Sequence, residues 1–157
     1  MARITNSRSR YIEHIEKELI QSPELFEVCY VEMCSLLTYA YAILFSNKNQ
    51  TLTLRLWDAD VDNIRFRLGI FDLDSLSISS SKIYLNNQSR EHLQSLADAE
   101  LSVGQLGSVV LDGVTYQLFK DSSHLTWKLP TQINWQLEEL VKELKSNAKL
   151  LLWNKYG

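Results

Sequence analysis

Alternation of apolar and polar residues in three separate segments most constrains what this chain can fold into. The segments read TLTLRLW at 51–57, IRFRLGIF at 64–71 and SVVLDGVTYQLF at 108–119. A period of two puts every second side chain on one face, which is the pattern of half-buried antiparallel strands. Asp112-Gly113 inside the third segment predicts a two-residue hairpin turn. We therefore expect an antiparallel sheet.

Segments with helical periodicity precede and follow these predicted strands in the sequence. We predict an amphipathic helix over 9–21, a second helix over 23–45 that is apolar nearly all round, a helix from Ser89 as its cap, and a last helix opened by Pro130 and Thr131. SLSIS and SKIYL are predicted as one further strand or a pair of strands, and HLTWKL as the third strand of the meander.

The predicted fold class is α+β. With 157 residues, the chain has room for one core and is short for two. We expect a single domain over 1–157, with 1–8 as a candidate disordered tail. The antiparallel sheet has about five to six strands, a hairpin plus a meander, and packs against an N-terminal helix pair and a C-terminal helix on one face or at its ends.

Charge and cysteines narrow the functional classes. The net charge of −3 disfavours non-specific nucleic-acid binding, which needs a surplus of Lys and Arg. The first ten residues have no apolar core, so they are not a secretory signal. Cys29 and Cys34 point apart on the predicted helix over 23–45 and are expected to be free, buried thiols. Free thiols favour a reducing compartment, so we expect a cytoplasmic protein without a membrane span.

Five aspartates cluster around the predicted hairpin, at the positions Asp58, Asp60, Asp62, Asp72 and Asp74. The first three match the opening ligands of an EF-hand loop.

The rest of that loop does not match, because Asn63 stands where glycine is needed and Gly69 where the bidentate glutamate is needed. We therefore expect no metal and no cofactor, although a weaker divalent-cation site remains open. The alternatives are a loop whose Asp and Asn side chains bond their own backbone, or an exposed acidic edge that docks on a basic protein.

Three arginines flank the same segment. In the predicted hairpin Arg55 lies opposite Arg67, so an acidic neighbour or a bound anion is expected on them. Trp57 would stack on Arg65 as a cross-strand pair, or join these arginines in a basic-aromatic face for single-stranded nucleic acid.

No catalytic motif stands out. His14, His92 and His124 are not at metal-ligand spacing on one element, and the chain has no glycine-rich phosphate loop, G-x-S-x-G or H-E-x-x-H motif. We therefore expect no enzymatic activity; a small enzyme or a nucleic-acid-binding module is a lesser alternative.

Two resemblances bear on function. The tail LTWKLPTQINWQLEELVKELKSNAKLLLW resembles the last strand and helix of the chaperones that escort type III secretion effectors, in which LP precedes an amphipathic helix. Their order of helix, three strands, helix, strands and helix is similar too. That resemblance implies a homodimeric, cytoplasmic chaperone.

The second resemblance is one of general type, to bacterial immunity proteins. Those proteins are small, acidic, single α+β domains that bind and block a cognate toxin. That resemblance implies a protein partner, such as a basic nuclease toxin, and occlusion of its active cleft without turnover. The expected partner-binding residues are Trp57 and the five aspartates, with Asp58, Asp60 and Asp62 on one projecting loop as the plug. This is the favoured hypothesis.

Overall fold

A computed structural model describes residues 2–21, 25–70, 75–105 and 113–149, with side chains from Arg10 onward. The elements are α1 (Ala2–Leu19), β1 (Val28–Cys34), β2 (Ala40–Ser46), β3 (Thr51–Trp57), α2 (Ala59–Arg67), β4 (Ile78–Tyr84), α3 (Asn87–Asp98), β5 (Val114–Lys120), β6 (Ser123–Trp127) and α4 (Trp135–Asn147).

The six strands form one antiparallel sheet in the order β4-β3-β2-β1-β5-β6. The predicted α+β fold with an antiparallel sheet is thus confirmed. β1 lies in the middle and pairs with β2 on one side and with β5, far along the chain, on the other. Every side chain of β1 and β2 is buried.

The prediction of one apolar helix over 23–45 is wrong. Of its described residues, 28–34 form β1 and 40–45 belong to β2, and both strands are apolar on both sides because helices cover both faces of the sheet. The turn between them includes Leu37 with a φ of 58°, and its backbone N–H donates to the carbonyl of Cys34. The predicted N-terminal helix pair is therefore a helix followed by a hairpin.

The helices lie on both faces of the sheet, not on one. On the first face, α3 and α4 bury Leu93, Leu140 and Leu144 against Tyr30 and Ile43 of β1 and β2. On the second face, α1 and α2 pack on the opposite side of the same strands. The buried residues of this second core include Tyr11, Ile15, Leu19, Val31, Ala42 and Trp57.

Several predicted boundaries need correction. α1 begins at Ala2, seven residues before the predicted start. α3 is capped by Asn86, whose Oδ1 accepts from Ser89 N, so Ser89 is inside the helix. α4 begins at Trp135 with Asn134 as its cap, after Pro130 and Thr131.

The strands predicted over 51–57, in VTYQLF and in HLTWKL are confirmed as β3, β5 and β6. The region of SLSIS and SKIYL, predicted as one strand or a pair, contains a single strand, β4 (Ile78–Tyr84). The first strand of the predicted Asp112-Gly113 hairpin lies outside the described residues.

Candidate functional site

The segment predicted as a hairpin loop and second strand is a helix. Asp58 directly follows β3 and caps α2, with its Oδ1 accepting from the backbone N–H of Val61 at 3.3 Å. Asp60 lies in the first turn, where its negative charge favours the positive helix end. The loop prediction for Asp58–Asp62 is therefore wrong, and so is the strand prediction over 64–71 for its described residues, 64–70.

Asp62 and Trp57, two of the predicted partner-binding residues, are buried against each other. Their exposed fractions are 0% and 1%. Oδ2 of Asp62 accepts from Nε1 of Trp57 at 2.9 Å and from the backbone N–H of Ser77 at 2.8 Å. Oδ1 lies 3.8 Å from the guanidinium of Arg65 and has no hydrogen-bond partner among the described residues. In this fold Asp62 joins β3, α2 and the start of β4, and it is not accessible to a partner.

Tyr11 of α1 fixes the position of α2. Its ring stacks on Phe66 with centroids 5.0 Å apart and meets Trp57 edge-on at 5.7 Å. Its hydroxyl donates to Oδ1 of Asn63, whose amide donates in turn to the carbonyl of Leu37. Burial, with the nearby charge of Asp62, raises the pKa of Tyr11, so the hydroxyl stays a donor. These contacts hold α2 against α1 and the β1–β2 turn.

The accessible acidic group is smaller than the sequence suggests. Asp60 is exposed, and Asp58 remains half-buried beside it at the start of α2. Asp72 and Asp74 lie outside the described residues. Of the three aspartates in the predicted acidic plug, Asp60 is therefore exposed, Asp58 is half-buried in its capping role, and Asp62 is inaccessible.

An apolar stripe on α2 is the feature that sequence reasoning missed. Val61, Ile64 and Leu68 recur at helical spacing and are exposed by 40%, 49% and 67%; we call these three residues the α2 stripe. Five of the ten large apolar side chains exposed among the described residues fall within 61–70. Such concentrations mark interaction sites more often than isolated exposed residues do.

The arginines do not lie as the predicted hairpin places them. Arg55 pairs across the sheet with Ala42 and Ser80. Its guanidinium donates to the carbonyl of Glu18 at 2.8 Å and to Oγ of Ser80 at 3.0 Å. The predicted Arg55–Arg67 opposition and the Trp57–Arg65 stack are therefore wrong, because Arg65 and Arg67 are on α2.

Glu32, in the middle of the sheet, is the centre of a second polar cluster that the sequence did not reveal. Its carboxylate accepts from the hydroxyls of Tyr30, Tyr39 and Tyr41 at 2.6, 2.8 and 3.0 Å, and Nζ of Lys145 lies 2.9 Å away. Burial pushes the pKa of Glu32 upward, but the bonds from Tyr30 and Lys145 outweigh it, so the pKa is lowered. The cluster anchors the end of α4 to β1, and its carboxylate is fully paired.

Metal and thiol chemistry find little support in the described part of the chain. Within it, no group of three or more His, Cys, Asp or Glu side chains is arranged to hold a metal ion. Cys29 and Cys34 are buried and unbridged, five positions apart on β1 and thus on opposite faces. Burial raises the pKa of Cys29 to about 12, which keeps that thiol protonated and unreactive. None of the helices in these ranges has the length and apolar character needed to cross a bilayer.

Comparison with known proteins returns no relative. No family model, no curated protein and no solved structure matches this chain.

Proposed function

We propose that this chain is a protein-binding protein that neutralises a basic partner, such as a nuclease toxin, by stoichiometric occlusion and without turnover. The α2 stripe supports the proposal most directly. The two buried free cysteines are compatible with action in the cytoplasm.

The interface has the layout of a protein-binding surface. Its centre is the α2 stripe, and its acidic edge is Asp60 with Asp58 at the N-terminal turn of the helix. Affinity in such interfaces comes mainly from a few apolar anchors, whereas charges at the rim steer the approach and select the partner. The partner that fits has an apolar groove with Lys or Arg beside the end that meets Asp60.

The rigid attachment of α2 to the rest of the molecule also favours binding through the α2 stripe. Asp62, Trp57, Tyr11 and Asn63 fix α2 from the sheet side, so the helix loses little conformational freedom when a partner binds. Pre-organisation of this kind lowers the entropic cost of association.

Substitution of the stripe tests the proposal. Ile64→Ser should weaken binding to the partner protein about thirtyfold, which corresponds to a loss of about 2 kcal/mol in binding free energy. The melting temperature should stay nearly unchanged, because Ile64 is half exposed already. Partner capture from the source cell, identification by mass spectrometry, and calorimetric titration of the purified pair provide the measurement.

Trp135→Ser is the matched control, since Trp135 is an exposed apolar residue on α4, on the opposite face of the sheet. The proposal requires a basic partner, one-to-one stoichiometry and loss of the partner's activity in the complex. Equal binding by Ile64→Ser and wild type would rule out the α2 stripe as the interface.

A second candidate, an effector chaperone of the type III secretion kind, is favoured by the observed element order. In the described part of the chain, the elements follow one another as helix, three strands, helix, one strand, helix, two strands and helix. The first five elements agree with the chaperone resemblance of the sequence, which implies a homodimer, whereas α3 between β4 and β5 departs from it.

α2 itself carries a charge order that suits a second copy. Its first turn is acidic and its last turn basic; the accessible members are Asp60 and Arg67. In an antiparallel pair of α2 helices with the two-fold axis between positions 63 and 64, Asp60 of each copy would meet Arg67 of the other.

Charge reversal separates the two candidates. A basic toxin-like partner predicts that Asp60→Lys weakens binding and Arg67→Glu does not. A second copy predicts a concentration-dependent dimer in sedimentation experiments that each single reversal weakens and the double reversal restores. If the protein is a monomer at all concentrations, the dimeric chaperone is excluded and the neutralising role is the candidate that still stands.

A further inference from the structure

A cleft separates α1 from the edge of the sheet formed by β5 and β6. α1 packs over β1, β2 and β3, and α2 lies on the same side of the sheet. On this face, the part of the sheet formed by β5 and β6 is therefore less covered by helices. The cleft has a volume of about 250 Å³, slightly below the range of about 300–1,000 Å³ typical of drug-sized ligand sites. It lies away from the α2 stripe and has no part in the proposed protein interface.

The cleft has an apolar floor and an ordered polar wall. Ile20, Val31 and Phe119 supply the apolar surface. Phe119 is stacked on His124 with ring centroids 4.2 Å apart and planes 8° from parallel. This stacked pair closes the side of the cleft that faces α1.

Gln117 links the two walls. It is a buried polar residue on β5, and its Oε1 lies 2.8 Å from Nε2 of His124. Its side chain also hydrogen-bonds to Glu16 of α1. Because the Glu16 carboxylate accepts from the amide, the Gln117 Oε1 is left to accept from a protonated Nε2 of His124. The carboxylate of Glu16 is thereby held at a defined place on the cleft wall.

The charge of the cleft is negative. The carboxylates of Glu13 and Glu16 line it, together with the ammonium of Lys17. Within the described part of the chain, Glu16 forms no ion pair with a lysine or arginine. Burial, and to a smaller extent the charge of Glu13, raise the pKa of Glu16, whereas the bond from Gln117 opposes this. A cation seated beside Glu16 would offset the cost of its charge.

We propose that this cleft binds a small organic amine, with the ammonium group on the carboxylate of Glu16 and a short apolar body on Ile20, Val31 and Phe119. The volume limits the ligand to about the size of a single ring with a short side chain. A carboxylate ligand would meet two glutamates, and a purely apolar one would leave the Glu16 charge without a counter-ion. The cationic head and apolar body together match the groups on the walls.

Three matched probes test the proposal by nuclear magnetic resonance titration at neutral pH. 2-Phenylethylamine is a cation, 2-phenylethanol is its neutral counterpart and 3-phenylpropionate is an anion of similar shape. The amine should shift the backbone amide signals of Ile20, Val31 and Gln117 in a saturable way. The alcohol should bind at least about tenfold more weakly, as expected for loss of a charge-assisted hydrogen bond, and the anion should not shift these signals.

Glu16→Gln is the decisive variant. It keeps the shape of the side chain and should reduce amine affinity about tenfold or more, without lowering the melting temperature, because it removes a charge that burial disfavours. Glu138→Gln, an exposed position on α4 across the sheet, should bind the amine like wild type.

Equal affinities for the amine and the alcohol would overturn the proposal, as would unchanged binding in Glu16→Gln. Signal shifts confined to residues outside the cleft, or no shift at millimolar amine, would overturn it as well. Partner binding through α2 can be measured on the same variants, so failure of one site is distinguishable from failure of the other.

Discussion

Three aspartates at alternate positions serve three different purposes, and only the tertiary structure distinguishes them. Asp58 caps a helix, Asp60 faces solvent and Asp62 accepts two hydrogen bonds in a fully buried position. Spacing alone predicts their common direction on a strand, but on a helix positions two apart point about 160° away from each other when each residue turns about 100°. This change of element explains why Asp62 is buried and Asp60 is not.

Asp62→Ala should destabilise the fold by about 2–4 kcal/mol, because the Nε1–H of Trp57 and the backbone N–H of Ser77 would both lose their acceptor. Urea unfolding followed by tryptophan fluorescence measures this. Asp60→Ala is the control and should change the free energy of unfolding by less than about 0.5 kcal/mol. Similar small effects for both variants would contradict the buried role of Asp62.

Glu32 should make stability depend on acid. Its pKa in the folded state lies below the ordinary value of 4.5, so the ionised form stabilises the fold above pH 4.5, and this contribution is lost as the pH falls through the lowered pKa. Urea unfolding between pH 6 and pH 3 should therefore show a steeper loss of stability for wild type than for Glu32→Gln. Parallel curves for the two proteins would contradict the assignment.

Among the elements, the strands with a clean alternating pattern were predictable and the central hairpin was not. β3 alternates Leu52, Leu54 and Leu56 toward one core, as the sequence indicates. β1 and β2 are covered on both faces, so their residues are apolar throughout and show no period of two. The turn between them uses Leu37 at positive φ, a conformation that leucine disfavours, and no Gly, Pro or Asn indicates a break.

α2 was misassigned because its segment shows a period of two although it forms a helix. Ile64, Phe66, Leu68 and Ile70 alternate like a buried strand, yet each is substantially exposed. The signal that identifies the helix is Asp58 as a cap followed by Asp60 in the first turn, which is a helix start pattern. The apolar residues that suggested a core strand are the best evidence for an interaction surface.

At the scale of the whole molecule, two cores share one sheet. Ile15 lies in the core on the α1 side and Leu93 in the core on the α3 side, both without solvent exposure. Neither core is apparent from a single element, because each combines residues that are distant in sequence. The acidic edge of the proposed partner surface was inferred from the sequence, but its proposed apolar centre and the Glu16 cleft depend on this packing.

Ile15→Ala and Leu93→Ala should each destabilise the fold by about 2–4 kcal/mol. The double variant should lose the sum of the two effects within about 0.5 kcal/mol, because the residues lie on opposite faces and share no contact. Chemical unfolding of all four proteins completes the cycle. A coupling energy above about 1 kcal/mol would show that the two cores do not behave independently.

The central place of β1 has a consequence for synthesis. β1 leaves the ribosome long before β5, the strand that pairs with its second edge. Until then the nascent chain carries an apolar hairpin with one row of backbone donors and acceptors open, which is a template for pairing with other chains. Messenger RNAs truncated before codon 114 should therefore yield insoluble protein, even though they encode the helices that precede β5.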